Sequence, residues 1–107
     1  MKTLKFRRDL SELILRGKKN STWRLFDDKD LSMGDEVSFL VWESGEEFAK
    51  ARLLDIKESN LGGLTEEDWE GHEKFETDEN MYITYSEYYN CEVNKDSLIK
   101  IIKFKLI

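Results

Sequence analysis

A lysine, a threonine and an arginine stand close together in the segment Gly17-Lys18-Lys19-Asn20-Ser21-Thr22-Trp23-Arg24. Lys19 offers an ammonium group, or a free amine base if burial lowers its pKa. Thr22 offers a hydroxyl that such a base converts into a nucleophile. Arg24 carries a planar guanidinium suited to two-point binding of a phosphate or carboxylate, and Lys18 and Lys19 supply point charges. On a strand, Thr22 and Arg24 share one face and Trp23 takes the other. Binding of an anionic partner and acyl transfer both fit these residue types. So does a solvated turn lysine beside an arginine paired with an acidic neighbour; spacing alone does not choose.

His72 has Glu70 and Glu73 beside it. A histidine titrates near neutrality and suits acid or base work, yet one just past a helix can equally be a surface or capping residue. His72 and Cys91 are the only residues of their kinds. They exclude an intrachain disulfide and a finger- or ribbon-type zinc site, so no metal and no cofactor are expected. Met81, Tyr82, Tyr85, Tyr88 and Tyr89 recur at helical spacing. Such a stripe packs a core more often than it stacks bases, though Tyr88 or Tyr89 could reach a cleft. Glu66, Glu67, Asp68 and Glu70 read as a solvated first helical turn, with Trp69 as its anchor.

These residues need elements to hold them. Thr3–Phe6 alternates like a half-buried strand. Asp9 with Glu12 looks like a capping pair that opens a helix carrying Leu10, Leu13 and Ile14 on one face, and Gly17 stands where a left-handed C-terminal residue belongs. Ser21–Leu25 reads as a strand, followed by solvated turns at Asp27-Asp28-Lys29-Asp30 and Gly34-Asp35. Glu36–Trp42 and Phe48–Lys57 read as strands joined at Ser44-Gly45-Glu46-Glu47. Thr65 to Asp68 is a capping-box sequence for a short helix ending near Gly71, and the tyrosine stripe begins near Thr77. Leu98–Leu106 is the last strand. The apolar phase breaks within both Phe48–Lys57 and Leu98–Leu106, which suggests two β-bulges, or strands buried on both faces. The order β-α-β-β-β-α-α-β gives an α+β domain with a small barrel.

At 107 residues the chain makes one domain, and its three Trp, four Tyr and six Phe suit a packed core. It contains no proline, so Gly, Asn, Asp and Ser must make its turns. No apolar run is long enough to span a membrane, and the basic start lacks an apolar signal stretch; a cytoplasmic protein without membrane partners is expected. The net charge of −6 is unevenly placed: residues 1–26 hold eight basic and two acidic side chains. That asymmetry suits one face turned to an anionic partner, or a dipolar surface that only aids solubility.

The run Ile14 to Arg24 resembles the signature of the ASCH domain family, a helix ending in Gly followed by G-x-K-x-x-T-x-R. Met33-Gly34-Asp35-Glu36-Val37, Leu64-Thr65-Glu66-Glu67-Asp68 and Ile101–Phe104 are similar to later family segments, so the resemblance spans nearly all of 1–107. It implies a PUA-like β-barrel with helices capping a cleft. It implies RNA or a nucleotide-like small molecule as partner, bound by a monomer at Lys18, Lys19, Thr22 and Arg24. One branch consists of small acetylcytidine amidohydrolases that use Lys, Thr and Glu. By motif the first two become Lys19 and Thr22. Ungapped counting puts His72 where that branch has its Glu, while a one-residue shift gives Glu73.

Overall fold

A computed structural model describes residues 2–25 and 30–107. Five strands form one mixed sheet: β1 (Lys2–Phe6), β2 (Ser21–Arg24), β3 (Glu36–Val41), β4 (Glu47–Asn60) and β5 (Leu98–Leu106). Their spatial order is β1-β3-β4-β5-β2; β1 runs parallel to β3 and the other neighbours are antiparallel. The helices are α1 (Arg8–Leu15), α2 (Glu66–Trp69) and α3 (Asp78–Tyr89), with a 3-10 turn at Leu61–Gly63. The sheet curls into a half-barrel whose two edges are β1 and β2, an α+β arrangement of the PUA-like kind.

Curvature is concentrated in β4. Its register slips at Phe48 against β3 and at Leu54 against β5, so each is an extra residue on the longer strand. The phase break between Leu53 and Leu54 is therefore a bulge, as expected. The break in β5 is not: its pairing with β2 runs without a shift through Ile101 and Ile102. That strand is instead buried on both faces. Ile102 and Phe104 enter a core with Leu4, Phe6, Val37, Phe39 and Leu53, onto which Ile14 of α1 packs. Ile99 and Ile101 enter a second core with Trp23, Leu61, Met81, Tyr85 and Val93. Sheet strands covered on both faces lose their alternation, and adjacent apolar residues result.

The helix ends follow the sequence in part. Thr65 and Asp68 form the reciprocal capping box at α2, and Thr77 caps α3 by accepting from the Asn80 N–H. Gly17 takes φ +75°, and Lys18 N–H reaches back to the Leu13 carbonyl, closing α1. The expected Asp9–Glu12 pair does not open α1. Its cap residue is Arg7, without a side-chain cap, and the Arg8 N–H donates to both Glu43 carboxylate oxygens at 3.0 and 3.2 Å. A carboxylate distant in sequence serves as well as a local one, because the orphan N–H groups need only an acceptor. Of the expected turn after Leu25, Asp27, Asp28 and Lys29 lie outside the described residues.

Candidate functional site

The Gly71 carbonyl organises the site. It accepts the N–H groups of both Asn20 (2.8 Å) and Ser21 (3.1 Å), pinning the start of β2 to the turn that leaves α2. Gly71 sits at φ +76°, and a Cβ there would fall 1.6 Å from Asn20 Oδ1. The space a side chain at residue 71 would need is thus filled by the Asn20 side chain. His72 and Glu73 follow immediately, which delivers them next to Lys19.

Lys19 is 2 % exposed. Its Nζ donates to the Ser21 carbonyl at 2.8 Å and to the Glu73 carboxylate in a short contact. The first bond sets the amine beside the peptide that joins Ser21 to Thr22. Burial lowers the Lys19 pKa, the nearby Glu73 carboxylate opposes that, and the Arg24 charge adds to the lowering. Lys18, by contrast, is exposed.

His72 is also buried. It stacks on Trp23 with ring centroids 3.6 Å apart and planes 12° from parallel. Its Nδ1 lies 2.8 Å from the Glu73 main-chain oxygen and its Nε2 lies 3.2 Å from the Tyr85 hydroxyl. A carbonyl oxygen only accepts, so Nδ1 carries the proton and Nε2 accepts from Tyr85. Burial and the Lys19 charge push the His72 pKa down to about 2, so the ring is neutral at physiological pH. Neither an exposed cap nor a ready proton donor, it is a core residue that fixes Glu73 from behind. Trp69 meets Trp23 edge-on at 4.7 Å and completes this aromatic packing.

In front of the cluster a cleft of about 160 Å³ opens between β1 and β2. Thr22, Trp23, Glu73 and Tyr85 line it, with Phe6 and Leu10 on the β1–α1 side. Arg24 crosses the gap: its guanidinium donates to the Lys5 carbonyl at 2.7 Å and lies 4.8 Å over the Phe6 ring. At the rim, the Arg7 guanidinium lies 4.1 Å from the Trp42 ring and 5.2 Å from the Tyr88 ring. Of the expected residues, Thr22, Arg24 and Glu73 line this cleft and Lys19 backs it through Glu73. Tyr88 and Tyr89 both reach it, as their stripe allowed. Lys5, Arg7 and Trp42 were not anticipated. The one hint was an aromatic residue at the end of an otherwise alternating strand.

Among the described residues no cluster of His, Cys, Asp or Glu could hold a metal ion, and no helix is long and apolar enough to cross a membrane.

No protein-family profile and no curated protein matches the chain. Solved structures do. The ASCH domain from Lactobacillus crispatus is 16% identical and superposes with a TM-score of 0.69, covering 98% of this chain and 79% of that one. The ASCH protein from Zymomonas mobilis is 12% identical, with a TM-score of 0.67 over 98% of this chain and 68% of its own. A hypothetical protein, PH0355, is 25% identical over the whole of both chains, with a TM-score of 0.75. The half-barrel with its Gly71-pinned cleft is therefore an ASCH-domain fold.

Proposed function

We propose that the cleft hydrolyses the amide of an acylated nucleoside of the acetylcytidine type, with Thr22 as nucleophile, Lys19 as base and Glu73 as the carboxylate that holds Lys19. One observation carries this reading. A buried amine, its proton affinity weakened by desolvation, is held by Glu73, which lines the same cleft as Thr22. Uncharged Lys19 takes the hydroxyl proton while Thr22 Oγ1 bonds to the acyl carbon. Glu73 stabilises the ammonium so formed. The C–N bond then breaks, the proton passes to the departing amine nitrogen, and water cleaves the acyl ester by the same base. His72 takes no proton in this scheme; neutral and stacked on Trp23, it orients Glu73. The protein acts as a cytoplasmic monomer.

The test is conversion of acetylcytidine to cytidine and acetate, followed chromatographically. Lys19→Ala and Thr22→Ala should each lower kcat by about 10³-fold or more while circular dichroism stays native. Unchanged rates in both variants would overturn the mechanism.

A second reading, retention of RNA or a nucleotide without turnover, is favoured by the cationic and aromatic rim. Lys5, Arg7 and Arg24 stand there with Trp42 and Tyr88. It expects RNA affinity that falls steeply between about 50 and 200 mM salt. Affinity that ignores salt argues against it.

A further inference from the structure

The β2–β5 ladder fixes where each peptide group of β2 points. Phe104 N–H donates to the Asn20 carbonyl at 3.0 Å. In the same register Thr22 faces Ile102 and Arg24 faces Lys100. Antiparallel pairs alternate, so Thr22 and Arg24 turn their peptide groups toward β5, as Asn20 does its carbonyl, while Ser21, Trp23 and Leu25 turn theirs to the open edge. At two of those three positions the edge groups are used. The Ser21 N–H serves the Gly71 carbonyl and the Ser21 carbonyl receives Lys19 Nζ. The Leu25 N–H donates to the Tyr89 hydroxyl at 3.1 Å. Between them stands Trp23, which lines the cleft and whose N–H has no hydrogen-bonding partner among the described residues.

The facing wall follows the same logic. The Phe6 carbonyl accepts from the Trp42 N–H at 2.7 Å, so Phe6 bonds toward β3 and Lys5 points its peptide groups into the slit. There the Lys5 carbonyl is taken by Arg24. Of these edge groups, the N–H groups of Lys5 and Trp23 remain for a ligand, and Trp23 is the residue directly after Thr22.

We propose that the main-chain N–H of Trp23 is the oxyanion donor of the site. It rests on the hydrolase reading above. As Thr22 Oγ1 bonds to the acyl carbon, the carbonyl electron pair moves onto oxygen. That oxygen is held by the Trp23 N–H until the C–N bond breaks and the pair returns. A peptide N–H fixed in a sheet ladder is already oriented when charge develops, which is where such donors are most effective. The donor is also independent of the residue 23 side chain, which packs on the opposite side against His72.

The experiment replaces the Trp23 amide by an ester, using the hydroxy-acid analogue of tryptophan, so that the indole stays and the N–H is lost. With acetylcytidine as substrate, kcat should fall about 10²–10³-fold while KM changes little. The same replacement at Leu25, whose N–H serves Tyr89, should leave kcat largely intact. Full activity in the Trp23 ester overturns the donor role and leaves the hydrolase reading standing. No turnover by the unmodified protein overturns both. Should the ester fail to fold, the Trp23 amide is read by NMR in Thr22→Ala saturated with acetylcytidine. Slowed exchange and a downfield shift at Trp23 support the assignment, and an unchanged Trp23 amide while other cleft residues shift overturns it.

Discussion

His72 is the residue on which sequence and structure part most clearly. Its neighbours in the chain are acidic, which suggests a solvated, easily charged ring. Its neighbours in space are Trp23, Tyr85, Lys19 and the Glu73 backbone. The folded protein holds the proton affinity of the ring near pH 2, against 6.5 for a free side chain. Between those values the unfolded chain binds the extra proton, so stability falls as pH drops below about 6.5, by about 1.4 kcal/mol per unit for this one group. Urea unfolding at pH 7 and pH 5 should therefore show about 2 kcal/mol more acid loss in the native sequence than in His72→Gln. Equal losses would mean that the ring is not buried neutral. Lys19 acts in the same sense at the alkaline end: its lowered affinity means that stability rises as pH climbs toward 10.5. The Lys19–Glu73 pair joins residues 54 apart in sequence, and nothing in local charge pattern announces it. Only the motif resemblance made Glu73 a candidate, whereas Thr22 and Arg24 were legible from period-two spacing.

At the scale of elements, turns were read well and caps less so. A glycine followed by a change of period marks a chain reversal because only glycine accepts the left-handed backbone cheaply, and Gly17, Gly34, Gly45 and Gly71 all adopt it. Their surroundings differ. A Cβ at Gly17 meets nothing within 4 Å, while one at Gly71 collides with Asn20. Gly17→Ala should cost about 1–2 kcal/mol from backbone strain alone. Gly71→Ala should cost more in the native sequence, because Asn20 must swing aside. In an Asn20→Gly background the two substitutions should cost the same. Denaturant titration of the six proteins, both parents and both substitutions in each, closes that comparison, and an unrelieved excess at Gly71 would point to backbone displacement instead. The α1 cap lay beyond sequence reading for a simple reason: Glu43 reaches Arg8 from the far end of β3, and only the folded sheet brings them together.

Across the whole molecule, the lesson lies in β5. Its adjacent isoleucines look like a slipped strand, yet each serves a different core: Ile101 the one under α3, Ile102 the one under α1. Small truncations at the two should then behave as independent lesions. Ile101→Val and Ile102→Val are each expected to cost about 0.5–1.5 kcal/mol, and the double variant their sum within about 0.5 kcal/mol. A markedly smaller sum, measured by urea unfolding, would show the cores to be one. The fold class and the order of elements along the chain were legible because alternation survives in the strands with one covered face. It failed where two layers meet on one strand.

The seam between β1 and β2 has a consequence beyond ligand entry. Strand edges are templates: given an exposed row of peptide groups, a second chain can pair with them and begin an aggregate. Here the two edges face each other across a gap as narrow as one guanidinium, and Arg24 bolts them together through the Lys5 carbonyl. A small molecule can enter between them, but another strand would have to break that bolt first. The bond that spans the ligand opening thus also stands in the way of edge-to-edge pairing at this seam.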